Sequence, residues 1–180
     1  MMVTIDDNGL REAEKILNGI STQGAGKAIS RALNRSILAA RTAGTKAVGQ
    51  EYAIKASDIK ANLTMKKASY TNLTASLSAK GPAVDIMNFK VKLGSPIFAQ
   101  VKKNGGGGYL KDSFAVVQPS LRVLHRQGPA RNPTSRSFGP SIAQMCGNEA
   151  TIKAMTDRAS EVLETRLQHE MENIIGGIAK

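Results

Sequence analysis

The sequence predicts an α+β fold: a small antiparallel sheet or open barrel, packed by a long basic N-terminal helix and a long C-terminal helix. Three observations predict it. Residues 24–52 carry apolar side chains at helical spacing, and residues 149–175 do so again near the other end. Between them lie short runs in which apolar and polar side chains alternate, as in half-buried strands. The 180 residues have the length of one ordinary domain. The expected organisation is a single domain over 1–180: a helical arm at 1–62, antiparallel strands at 63–126, a loop at 127–140 and a C-terminal helix at 141–180.

Residues 3–5 fit a short strand. Asp6, Asp7 and Asn8 are candidate caps for a helix over 9–20, with Leu10, Ala13, Ile16, Leu17 and Ile20 on one face. The long basic helix follows. Ala25, Ala28, Ile29, Ala32, Leu33, Ile37, Ala40, Ala43, Ala47 and Val48 share its apolar side, and the alanines permit close approach by a neighbouring element. Lys27, Arg31, Arg35, Arg41 and Lys46 fall on the opposite side, with no carboxylate between Lys27 and Gln50. A solvated helix usually mixes both signs to form i,i+4 pairs, so these cations call for an anionic partner or open water. Ser57 is the expected N-cap of a short helix that ends near residue 62.

Strands are expected over 63–69 and 71–80, where Leu73, Ala75, Leu77 and Ala79 alternate with polar neighbours. Residues 84–89 fit a helical turn or a crossing loop. Alternation resumes at Phe89, Val91 and Leu93, then at Ile97, Ala99 and Val101, and again over 114–117 and 121–126. Strands so close in sequence suggest an antiparallel meander. Residues 128–140 contain three prolines and no apolar run, so they are expected to form a loop. Ser141 opens a helical turn. The last helix presents Ile152, Met155, Ala159, Val162, Leu163, Leu167, Met171, Ile174 and Ile175, and Gly176-Gly177 is a fitting stop.

Lys and Arg number 25 against 14 Asp and Glu, a net charge of +11. The excess is uneven. Residues 24–67 hold nine basic and two acidic side chains, and residues 80–136 hold ten and two. The segments 1–23 and 137–180 are each at −2. Such a middle suits nucleic acid, an anionic surface or acidic neighbouring subunits. Lys102, Lys103, Arg122, Arg126, Arg131 and Arg136 gather along the hairpins and the proline-rich segment, as candidates for contact with DNA or the lining of a lumen. Their alternative role is salt bridging to acidic neighbours. Lys27, Arg31 and Arg35 are candidates for subunit contact.

Chemistry is hard to build from this chain, and an enzyme is not expected. Gly105 to Gly108 beside Lys102 and Lys103 invite a phosphate loop, but that motif needs its Lys after the glycines, then Ser or Thr and a helix. A hairpin tip is the expectation. His125 and His169 stand apart with no partner at metal-ligand spacing, so no metal or cofactor is expected. Glu161, Glu164, Glu170 and Glu172 read as a solvated helix face. Cys146 is the sole cysteine and fits a buried, inert thiol. No window approaches ~18 apolar residues, so no membrane partner is expected. The start lacks a basic region followed by an apolar core, which suggests synthesis in a reducing cytoplasm. Seven Phe and Tyr and no Trp argue against recognition by base stacking.

The segments GKAISRALNRSILAARTAGTKAVGQEYAIKASDIK, MKKAS, VKKNGGGGYLKDSF and FGPSIAQM together resemble the minor tail protein Z family of lambda-like phages and prophages. The resemblance covers residues 24–145. It is carried by Ala32-Leu33-Asn34-Arg35, Glu51-Tyr52, Ile54-Lys55, Asp58, Gly105-Gly106-Gly107, Phe114 and Phe138-Gly139-Pro140-Ser141. It implies a structural tail-completion protein at the head-proximal end of a long non-contractile tail, needed for head–tail joining and DNA delivery. The implied partners are the tail terminator, the tail tube, the head–tail connector and further copies of this chain in a ring, a hexamer among the options. Viral DNA, met non-specifically, is a further candidate. The implied places are the virion tail and, during assembly, the host bacterial cytoplasm. The competing expectation is a free, sequence-independent nucleic-acid-binding protein.

Overall fold

The computed structural model describes residues 2–4, 22–117 and 119–178, and the fold is α+β, with small antiparallel sheets and long N- and C-terminal helices. The helix expected over 9–20, with its caps, lies outside the described residues. In chain order the elements are β1 (Met2–Thr4), α1 (Thr22–Glu51), α2 (Ala56–Ala61), β2 (Leu63–Lys66), β3 (Ser76–Ala79) and β4 (Ala83–Asp85). A 3-10 turn (Ile86–Asn88) precedes β5 (Lys90–Lys92), β6 (Ile97–Gln100), β7 (Gly108–Leu110), β8 (Ser113–Val117) and β9 (Leu121–Arg126). Then come β10 (Thr134–Arg136), β11 (Phe138–Ser141), α3 (Ile142–Cys146) and α4 (Glu149–Ile178). Two compact units result, and the division runs through α1 between Gly44 and Thr45.

Unit 1 comprises residues 1–44, 63–79 and 148–180. Its sheet has the order β1-β3-β2, all antiparallel. Ala28, Ile29, Ala32, Leu33, Ile37 and Ala40 of α1 are buried, as their spacing predicts. Each large aliphatic among them contributes about 1.5–3 kcal/mol by leaving water. The small residues let α4 come close. Ser36 Oγ donates to the carbonyl of Ala159 at 2.6 Å, and Ser36 is fully buried. Beyond Ala159 the apolar stripe of α4 is only half-buried, at Val162, Leu163, Leu167 and Met171. The helix continues through Gly176-Gly177 to Ile178, so the expected stop is corrected. Two glycines cost only ~1 kcal/mol each against Ala, a weak break next to a formed helix.

Asn34 explains how the segment after β2 is held. Its Nδ2 donates to the Ala68 carbonyl at 3.0 Å, and its Oδ1 accepts from the Ala68 amide at 2.8 Å. The side chain thus stands in for a neighbouring strand. Asn34→Ala strands both backbone groups of Ala68, which is buried, and is expected to lower stability by about 1–3 kcal/mol. Urea unfolding measures this. An unshifted midpoint would mean that the amide contributes nothing to stability.

Unit 2 comprises residues 45–62 and 80–147. It contains three sheets, ordered β5-β6-β7, β10-β9-β8 and β11-β4. The strands are antiparallel as expected, but among the described residues they are distributed over four small sheets rather than one. The core of this unit includes Val48, Ile59, Ile86, Phe89, Ile97, Val123, Ile142 and Met145. Ser57 does not cap α2. Lys55 holds the cap position with extended backbone, because Ala53 N donates to Val101 O at 2.8 Å and keeps the preceding residues strand-like. At α3 the expected opening by Ser141 takes the form of a capping box with Gln144.

The segment expected to be a loop over 127–140 needs correction, because its second half forms β10 and β11. β10 pairs with β9 through Thr134↔Arg126, Ser135↔His125 and Arg136↔Leu124. It is an edge strand of polar residues, held by backbone pairing, so no apolar alternation marks it. β11 contains Gly139 and Pro140 and has irregular register against β4, which also removes the usual strand signature.

Candidate functional site

The β8–β9–β10 sheet brings three of the candidate cations together. Side chains alternate along a strand, and directly paired residues share a face. Arg122, Leu124 and Arg126 therefore lie on one face of β9. The register adds Phe114 and Val116 from β8 and Thr134 and Arg136 from β10. Arg126 lies over the Phe114 ring at 5.6 Å, and Arg136 lies over the Phe138 ring at 5.9 Å. Arg136 Nη2 also reaches Asp85 Oδ2 at 3.0 Å. The Nε of Arg122 is buried without a hydrogen-bond partner among the described residues, so this guanidinium has an unmet demand for an acceptor. Arg131 is exposed in the β9–β10 connection.

Lys102 and Lys103 are placed differently. Lys102 Nζ meets Glu51 Oε1 at 2.8 Å and lies 5.6 Å from the centre of the Tyr52 ring. The hydrogen bond with Glu51 and the charge of that carboxylate hold the ammonium above its ordinary pKa. Lys103 Nζ donates to the carbonyl of Gly49, and its amide to the Glu51 carbonyl at 2.8 Å. Both lysines thus tie the hairpin to the C-terminal turn of α1, where cations offset the exposed carbonyls. Gly105, Gly106 and Gly107 belong to the β6–β7 connection, and Gly108 opens β7. Gly106 and Gly107 have φ of 64° and 73°, and a Cβ on Gly107 would meet Ala99 O at 2.8 Å. Conformation and close approach account for Gly106 and Gly107 without a phosphate.

In unit 1, Lys27, Arg31 and Arg35 are all exposed along α1. Arg31 Nη2 meets Glu170 Oε2 at 2.6 Å, while Arg35 makes no ion pair among the described residues. Both arginines line one cleft together with side chains of α4. The sequence alone missed the carboxylate partners Glu51, Asp85 and Glu170. They lie far along the chain from their cations, and only the folded register brings them near. The aromatic partners Phe114 and Phe138 were legible as residues of the resemblance, but not as platforms for arginine.

His125 is held by serines. Its Nδ1 is 3.2 Å from Ser137 Oγ and its Nε2 is 3.1 Å from Ser135 Oγ. Gln127 Nε2 donates to the same Ser135 oxygen at 3.0 Å. Both ring nitrogens are thereby satisfied by hydroxyls, the geometry of a structural tie between β9 and the strands after it. Burial pushes the Cys146 thiol from 9.0 up to about 11. A thiol so placed stays protonated near neutrality and is a poor nucleophile. Its contribution to stability is present below the ordinary thiol pKa and is lost as pH rises towards about 11. Among the described residues, no group of three His, Cys, Asp or Glu could hold a metal ion. No described helix is long and apolar enough to cross a membrane. Compared with known protein families, curated proteins and solved structures, the chain has no match.

Proposed function

We propose that this chain is a structural minor tail protein that completes the head-proximal end of a long non-contractile phage or prophage tail, supporting head–tail joining and DNA positioning. The resemblance over residues 24–145 supplies the family. The observation that carries the reading furthest is the surface of unit 2. There an arginine face lies on a sheet whose hairpin end exposes two paired apolar side chains, Val117 at 72 % and Leu121 at 36 %. Phe138 is also exposed, at 51 %. Exposed apolar side chains at the end of a sheet that carries arginines on its other face, with Phe138 lying against Arg136, suit an interface with protein neighbours. In a ring the same surface would meet a different patch on the next copy.

The three arginines on one face of the sheet also suit a second reading, a free nucleic-acid-binding protein, since guanidinium groups meet phosphate oxygens without reading bases. Light scattering on the full chain, with and without purified tail tubes or a tail terminator ring, separates the two. A defined ring, or a monomer that joins tubes stoichiometrically, is the expected result. The double variant Arg122→Ala/Arg126→Ala should then lose joining while keeping its helical circular dichroism. A monomer that ignores tubes but binds duplex DNA with a steep salt dependence would replace this reading with the second. The same double variant would then flatten the slope by about 2 units of log K per log salt.

A further inference from the structure

Unit 1 holds a cleft of about 440 Å³ between α1 and α4, closed on a third side by residues of β2 and just beyond it. That size lies within the roughly 300–1,000 Å³ typical of small-ligand clefts. Four basic side chains line it: Arg31 and Arg35, one turn apart on α1, Lys67 after β2, and Arg166 on α4. The carboxylate in the lining is Glu170, already engaged by Arg31. Arg35, Lys67 and Arg166 make no ion pair among the described residues.

Two features make this a built site rather than a patch of solvated charge. Glu170 is half-buried, with its side chain 18 % exposed, and its bond to one Nη of Arg31 orients that guanidinium while leaving other N–H groups to donate. The paired hydrogen bonds of Asn34 to Ala68 pin the residue next to Lys67, which fixes the third wall to α1. The lining also includes Leu38, 44 % exposed, and Met65. Apolar surface therefore accompanies the cations.

We infer that this cleft binds a phosphate ester carrying an apolar or aromatic moiety, the chemistry of a nucleotide. Several uncompensated cations in one small space call for a ligand with concentrated negative charge. Guanidinium forks match phosphate oxygens in pairs, while Leu38 and Met65 offer contact to a base or sugar. An acidic peptide brings isolated single charges and suits the site less well. The phosphate has two sources, a free nucleotide or the backbone of a nucleic acid strand. This inference does not rest on the tail reading.

The test is calorimetric titration of the full chain at low salt with a nucleoside triphosphate, inorganic tripolyphosphate, a short single-stranded oligodeoxynucleotide and an oligoglutamate peptide. The triphosphate or the oligonucleotide should bind, and which of them does so identifies the source. Arg35→Ala/Arg166→Ala should weaken that binding about tenfold or more. Arg35→Lys/Arg166→Lys should weaken it too, since charge is kept but the fork is lost. Lys90→Ala, on the exposed side of β5 in unit 2, should leave it unchanged. Circular dichroism checks that each variant is folded. Equal weakening by Lys90→Ala, full binding by the lysine variant, tighter binding of oligoglutamate, or no binding of either phosphate ligand would overturn the inference.

Discussion

Gly44→Val is expected to destabilise unit 1 by about 3 kcal/mol. A Cβ at position 44 would lie 2.4 Å from Met155 Sδ and 2.8 Å from its Cγ, and Met155 is 2 % exposed. The helices cannot simply separate, because the short bond from Ser36 Oγ to the Ala159 carbonyl is made on the same pair of elements. Gly44→Ala is the informative comparison. Alanine gains about 1 kcal/mol in helix propensity over glycine, and a thioether can swing aside at modest cost. The alanine variant should therefore sit near wild type. Valine adds two methyl groups on a χ1 restricted by the helix and leaves Met155 nowhere to go. Adding Met155→Ala should recover part of the valine loss, and a double-mutant cycle by urea unfolding reads that coupling. A Gly44→Val protein as stable as wild type would show that α1 and α4 do not pack closely at this point.

The same pair of helices shows what was legible in the chain. The spacing of Ala28, Ile29, Ala32, Leu33, Ile37 and Ala40 named the buried face of α1 before any coordinate, because burial of one face is what helical periodicity records. The role of Ser36 was not legible. A serine among apolar residues is read as polar, and only the approach of Ala159 turns it into a donor with a buried target. β3 was likewise visible through Leu77 and Ala79, whereas β10 was not. Thr134, Ser135 and Arg136 form a strand through backbone bonds to β9, and those bonds leave no trace in side-chain pattern.

The candidate site divides along similar lines. Clustering of positive charge in the sequence pointed to Arg122, Arg126 and Arg136, and the strand register places them on one face. Equal charge at Lys102 and Lys103 pointed to the same surface, but Glu51 and the carbonyl of Gly49 take up those side chains. Charge density along a sequence counts cations without showing which are already answered by a distant carboxylate. Arg166 and Lys67 escaped notice for the converse reason. Arg166 is an isolated cation in sequence and Lys67 is one of a lysine pair with Lys66, and the cleft that joins them to Arg31 and Arg35 exists only once α1, α4 and β2 have packed.

Gly139→Val should have an effect of similar size in unit 2, about 3 kcal/mol. A Cβ there would lie 2.5 Å from Cε2 and 3.0 Å from Cζ of Phe89. Phe89 is only 6 % exposed, and a buried ring has less freedom than a thioether to move away. The strain falls on β11, which pairs with β4 at Phe138 and Ser141. It passes directly to α3, because Ser141 is both the end of β11 and the capping residue of that helix. Ile142, Met145 and Cys146 of α3 are all at most 2 % exposed, so displacing the cap loosens part of the core. Cys146 supplies a local readout. Its thiol is protonated while buried, and opening α3 returns it towards its ordinary value of 9.0. Labelling by a thiol reagent at mildly alkaline pH should therefore accelerate in Gly139→Val along with the fall in urea midpoint. Gly139→Ala should show the same pair of changes to a lesser degree, since even one methyl group meets the ring. A valine variant whose Cys146 labels as slowly as wild type would mean that β11 yields without disturbing α3. The role of the Phe138–Ser141 strand would then lie in its pairing with β4 alone, and not in its seating of the helix.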